Sequence, residues 1–190
     1  RMKTPKQTRE VGGKVILDLC GGSGSWSKPY KDAGYKVILI DLPNDVRLLS
    51  LPKGEIYGIL AAPPCTMFCR MRMVRGRPTD AQFLAALSIV DACLRIITIC
   101  KPKFWALENP QGYLKTWLGE PQLKFNPCDY GDPWTKRTWL WGNFKTLKQN
   151  PVTPTKQWID DGSGKGIAKR SERSITPQGF AQAFFKANSC

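Results

Sequence analysis

Cys65 follows Pro63-Pro64, and reactivity is easiest to see there. Two prolines fix the backbone ahead of the thiol. A thiolate attacks well near neutral pH and leaves again. Glu108, in Glu108-Asn109-Pro110, ends an apolar run. Burial there would favour its protonated form and make it a proton donor. The segment Asp18-Leu19-Cys20-Gly21-Gly22-Ser23-Gly24-Ser25-Trp26 is a glycine-rich turn whose backbone can pass close to a ligand. Asp41 lies 23 residues beyond Asp18, where a carboxylate can accept both hydroxyls of a ribose. Each feature has a plainer reading: a buried cysteine after a rigid turn, an acid in a salt bridge, and a turn that is structural or belongs to a nicotinamide fold. Histidine is absent, which removes Ser-His-Asp and Cys-His catalysis and every histidine-based metal site. No metal site is expected.

These residues need elements to position them. Residues 14–19, 36–41, 56–62 and 103–107 are short apolar runs bounded by turn residues and read as buried parallel strands. A helix is expected from about residue 25 to 33, closed by Gly34. Thr79-Asp80-Ala81-Gln82 is a capping box for a helix to about Cys100, with Phe83, Leu84, Leu87, Val90, Leu94 and Ile97 on one face. Residues 112–118 suggest a short helix. Residues 123–130 and 138–141 suggest two more strands, an antiparallel pair. Thr176-Pro177 is expected to start a last helix, with Thr176 as its hydroxyl cap. Alternating strands and helices predict an α/β, doubly wound, mostly parallel sheet in a single domain. Ligands bind such sheets at the carboxyl ends of the strands. The glycine turn, Pro-Pro-Cys and Glu-Asn-Pro are all expected at such ends.

The 190 residues are enough for one such domain. Net charge is +14, from 29 basic and 15 acidic residues, which points to a polyanionic partner. Seven cysteines form no CxxC pair, a pattern expected of a reducing, cytoplasmic compartment. No apolar run is expected to span a membrane, and no signal peptide is apparent.

The glycine turn resembles the first motif of the DNA cytosine-C5 methyltransferases, which binds S-adenosyl-L-methionine (SAM); Cys20 stands where that family has Phe. Asp41, followed by Leu42, matches the ribose-binding acid. Asp45-Val46-Arg47 resembles the third motif, whose acid receives the adenine amino group. Ala62-Pro63-Pro64-Cys65 resembles the nucleophile motif, with Thr66 and Cys69 replacing the usual Gln and Ser. Glu108-Asn109 resembles the Glu-Asn motif that bonds N3 of cytosine, and Asn109 is counted among the nucleic-acid contacts or as an orienter of the carboxyl. Residues 130–137 resemble the eighth motif. They imply Arg137 as the catalytic cation, holding the cytosine carbonyl or Cys65, with Lys136 as the fallback and a nucleic-acid contact. Ser174 opens the segment that resembles the tenth motif, beside the SAM pocket. The resemblance implies a Rossmann-like SAM-dependent methyltransferase fold, with SAM as cofactor and DNA as partner. It implies a catalytic domain over residues 2–142, a reduced recognition segment over 143–173, and a returning helix over 174–190. The usual target-recognition domain has no counterpart.

A base inside a duplex hides its C6 face, so the target must be flipped out or already single-stranded. Arg70, Arg72, Arg75 and Arg77, in the loop after Cys65, are expected to grip phosphates, and Lys169 and Arg170 to add a second basic surface. So short a recognition segment should read about two to four base pairs. The alternatives are an RNA cytosine-C5 methyltransferase and a DNA-binding protein that kept the fold and lost catalysis. The former takes its nucleophile from the next strand, where this chain has Leu107-Glu108 and no cysteine. Transfer of a modified group, or action on a free nucleotide, is also open.

Overall fold

The chain alternates strands and helices in the expected order. The computed structural model describes residues 13–51, 54–70, 72, 76–157 and 174–189. Strand β1 (Val15–Leu19) leads through the glycine turn into a short helix α1 (Lys28–Asp32), then strand β2 (Lys36–Ile40). Strand β3 (Ile56–Ala61) precedes the long helix α2 (Asp80–Cys100), followed by β4 (Phe104–Pro110), α3 (Lys115–Leu118) and β5 (Leu123–Phe125). Strands β6 (Trp134–Thr135), β7 (Thr138–Asn143) and β8 (Lys156–Gln157) precede the closing helix α4 (Gln178–Asn188).

The main sheet has six strands in the order β2-β1-β3-β4-β7-β5. The first four run parallel, and β7 enters antiparallel to both β4 and β5. Both faces are covered because side chains alternate along each strand. Val15, Leu17 and Leu19 join α2 on one face; Ile16 joins Trp26, Tyr30, Phe180 and Phe184 from α4 and the region around α1 on the other. Each fully buried large aliphatic side chain contributes about 1.5–3 kcal/mol.

Local chemistry sets the boundaries. Thr79 and Gln82 form the expected capping box of α2. Leu84, expected inside, is 67% exposed, because the helix turns a narrower face to the sheet than its periodicity implied. By length and composition α2 could cross a membrane, contrary to the expectation from the sequence. Its buried residues, among them Phe83, Val90, Cys93 and Ile97, belong to the sheet core. Strand β4 runs on through Glu108, Asn109 and Pro110 rather than ending at Leu107, because β7 pairs with it as far as Pro110↔Thr138. The strand expected over 123–130 stops at Phe125, where Pro127 opens a 3-10 turn. The cap of α4 also differs: Pro177 occupies the N-cap position, and Asp132 accepts the Gly179 N–H at 3.0 Å. That carboxyl is remote in sequence and has taken the role expected of Thr176.

Candidate active site

Three parallel strands bring their carboxyl ends together. Leu19 pairs with Ala61 and Leu107 with Ala61 from the other side. Beyond β1 the chain turns through Cys20, Gly22 and Gly24, all at positive φ (56°, 54° and 69°). Gly21 is required for space: a Cβ there would lie 2.3 Å from Asp18 Oδ1.

Asp18 is fully buried on the α1 side of the sheet. Its Oδ2 accepts the Ser27 hydroxyl at 2.5 Å, while Oδ1 is buried without a partner. Burial raises this carboxyl to about 6, against the lowering effect of Ser27. The Asp41 carboxylate stands beside Gly22, where a Cβ would meet it at 3.7 Å. Asp41 Oδ1 accepts the Leu42 N–H at 2.8 Å, and the Leu42 side chain is 84% exposed. Ser23 donates its hydroxyl to Ser25 Oγ, and Ser25 Oγ accepts the Thr176 N–H at 3.0 Å. That bond brings the segment after the exposed Ser174 against the turn.

Several expected cofactor contacts are elsewhere. Leu19, Trp26 and Val46 are core side chains, each under 5% exposed. The Trp26 ring packs on Phe180 and Phe184, with centroids 5.7 and 5.4 Å away. The Cys20 thiol turns to α2, where the Cys93 thiol bonds to it and holds it below its ordinary range. Asp45 caps a 3-10 turn, accepting the Arg47 N–H and pairing with its guanidinium at 2.6 Å.

Cys65 lies just past β3, half-buried. Its carbonyl accepts the N–H groups of Phe68 and Cys69, so the thiol heads a tight turn. Asn109 is fully buried in β4, and its Nδ2 donates to the Pro63 carbonyl at 2.9 Å. The expected nucleic-acid contact at Asn109 is therefore corrected: it is an internal clamp between the two segments that carry Cys65 and Glu108. A second clamp follows. Tyr113 N–H donates to the Phe68 carbonyl at 2.8 Å, and Cys69 bridges Gly112. Gly112 permits this approach, since a Cβ there would lie 2.2 Å from the Phe68 oxygen.

The charged groups meet at this junction. Lys136 Nζ lies 4.0 Å from Glu108 Oε1, and both side chains are under 20% exposed. Burial raises Glu108, and Lys136 opposes that. Burial, then the Glu108 charge, pushes Cys65 up to about 11, with Lys136 pulling the other way. Thiol, carboxyl and ammonium thus form one electrostatic unit. Arg137 does not belong to it. Its guanidinium points outward, 3.4 Å from Gln111 Oε1. The cation at the carboxyl is the neighbouring lysine, because adjacent positions between β6 and β7 face opposite ways.

Of the basic loop, Arg70 is exposed and lines a groove with Arg137. Arg72 folds back onto the Gly76 carbonyl and Gln82. Arg77 borders a second hollow beside Asp80. The expectations for Arg75, Lys169 and Arg170 lie outside the described residues. No group of ligand-type side chains that could hold a metal ion occurs among the described residues.

One antiparallel strand, inserted next to the edge strand of an otherwise parallel sheet with a glycine turn after β1, decides the architecture. The fold is Rossmann-like: a mixed, mostly parallel α/β sheet in a single domain.

No family model matches the chain, and no curated protein does. Among solved structures, the chain is similar to a candidate DNA modification methyltransferase encoded within a prophage of E. coli. The two share 18% identity over 86% of this chain and 52% of that one, with a TM-score of 0.49. It is also similar to a methyltransferase of Entamoeba histolytica, with 14% identity over 76% of this chain and 57% of that one and a TM-score of 0.44. The chain spans little more than half the length of either structure.

A Rossmann-like fold with a glycine turn after its first strand can take a nucleoside-type cofactor such as SAM, and the turn fits one on its own evidence. It offers a buried, unpartnered Asp18 oxygen, a glycine cradle that a Cβ at Gly21 would fill, and the Asp41 carboxylate beside Gly22.

Proposed function

We propose that this chain methylates C5 of cytosine in DNA, with Cys65 as nucleophile. The observation that carries the reading is the coupling of Cys65, Glu108 and Lys136 at one strand junction, next to the glycine turn. Asp41 would hold the SAM ribose, and the turn from Cys20 to Gly24 would border the rest of the donor. SAM supplies an electrophilic methyl group on a sulfonium.

Carbon C5 of cytosine is a poor nucleophile until C6 is attacked. Glu108, whose burial favours the protonated form, would hold a proton at N3 when cytosine is bound and draw electron density from the ring. The Cys65 thiol, its proton passed to solvent, would then form a bond to C6, and the electrons of the C5–C6 double bond would form the new bond to the methyl carbon as the methyl–sulfur bond breaks, its electrons staying on the sulfur of departing S-adenosylhomocysteine. Solvent would then take the C5 proton, and the electron pair of that C–H bond would re-form the C5–C6 double bond and expel the thiolate, restoring Cys65 and the aromatic ring. Lys136 would offset the negative charge of thiolate and carboxylate during these steps. Pro63, fixed by Asn109, would set the position of the thiol.

The test is transfer of a labelled methyl group to DNA, followed by bisulfite sequencing. Wild type should label cytosine at C5, and Cys65→Ala should transfer nothing while still binding S-adenosylhomocysteine. Transfer to RNA but not DNA, or no transfer by the wild type, would remove this reading.

A further inference from the structure

Beside the catalytic junction, the surface opens into two adjoining hollows of about 720 and 640 Å³. Tyr113 lines both. The first carries Arg70, Lys115, Lys124 and Arg137 against a single carboxylate, Asp129. The two lysines are held in place by Glu120, which both approach at 3.0 and 2.8 Å. The second hollow is apolar, with Trp117 on its wall. Tyr113 and Trp117 are 43% and 47% exposed. Trp117 leans on Phe68 and Phe83, with centroids 6.1 and 5.6 Å away, and keeps the rest of its ring outward. This surface adjoins the reactive groups: Tyr113 bonds the backbone of Phe68, and Arg137 follows Lys136.

Duplex DNA presents phosphates and base edges, while its base faces are hidden by stacking. A single strand presents phosphates and base faces together, and proteins that hold it interleave cations with exposed aromatic rings. That is the arrangement here. We propose that Arg70, Lys115, Lys124 and Arg137 hold the phosphates of a single nucleic-acid strand, and that Tyr113 and Trp117 stack on bases flanking the target. This deepens the proposed methyl transfer and rests on it: the preferred substrate is single-stranded, so the target base need not be extracted from a helix.

Fluorescence anisotropy with a fluorescein-labelled oligodeoxynucleotide, alone or annealed to its complement, tests this. The wild type is expected to bind the single strand at least about tenfold more tightly than the duplex. Tyr113→Ala and Trp117→Ala are each expected to weaken single-strand binding about tenfold, the loss of one stacked base, with duplex binding little changed. Circular dichroism checks folding. If Trp117→Ala does not fold, Trp117→Phe should bind like the wild type, and Tyr113→Ala combined with Lys124→Gln carries the test. Equal or tighter binding of the duplex, or unchanged single-strand affinity in folded Tyr113→Ala or Trp117→Ala, overturns the proposal. Labelled-methyl transfer is scored separately. A protein that stacks on the strand but transfers no methyl keeps this interface and loses the catalytic reading. One that methylates duplex at full rate in both aromatic variants does the reverse.

Discussion

Cys65 occupies surroundings that oppose its ionisation: burial, then the Glu108 charge, raise it to about 11, and Lys136 is the charge that counters them. The sign of two substitutions follows. Glu108→Gln removes a charge that disfavours the thiolate, so Cys65 should alkylate faster with iodoacetamide at pH 8 although methyl transfer is lost. Lys136→Met removes the favourable charge and should slow alkylation several-fold at the same pH. Rates measured across pH would check both, and the same direction in both variants would refute the coupling. Asp18 supplies a stability prediction. Its carboxyl is raised to about 6 in the fold, against about 3.9 in an unfolded chain. Its contribution favours the fold below about pH 4 and is lost as pH rises through 6. Above that, keeping the buried charge costs about 3 kcal/mol, since one unit is about 1.4 kcal/mol. Asp18→Asn should therefore raise the melting temperature at pH 8 and change it little at pH 4, while weakening binding of S-adenosylhomocysteine. Thermal denaturation at the two pH values and calorimetry measure these effects.

Elements enter through the clamps between β3 and β4. Asn109→Ala would leave the buried Pro63 carbonyl without its donor, a loss of about 1–3 kcal/mol. It should also lower kcat more than donor affinity, because it loosens Cys65 relative to Glu108. Gly112→Ala should act in the same direction, since its Cβ would meet the Phe68 carbonyl, and backbone cannot move aside as a side chain can. Steady-state kinetics with a folding control measure both. The sequence made part of this visible. The glycine turn, Pro-Pro-Cys and the capping box of α2 announce themselves through backbone chemistry confined to a few neighbouring residues. What stayed hidden depends on distant partners. The extension of β4 through Pro110 needs the register of β7, and the cap of α4 comes from Asp132. Asn109 reads as a surface group until its Pro63 partner is seen. The facing of Lys136 and Arg137 likewise depends on how β6 joins β7. Tyr113 and Trp117 gave only a weak signal, as aromatics in a polar stretch.

For the whole molecule, a charge of +14 would make the proposed nucleic-acid affinity a function of salt. Four cations line the groove, and single strands release about 0.7 counterions per neutralised phosphate. The logarithm of the binding constant should fall against the logarithm of salt concentration with a slope of about −3. Lys124→Gln should reduce that slope by about 0.7. A titration from low to moderate salt would measure it, and a flat dependence would separate the net charge from this groove.

The joint between β6 and β7 is two residues long, and its two side chains look in opposite directions, one toward the carboxyl and one toward solvent. Gain of a single codon there would change which of these cations is turned inward. A change of that kind would trade a flexible ammonium for a planar guanidinium without any substitution at either position. The identity of the inward cation is thus governed by spacing as much as by sequence.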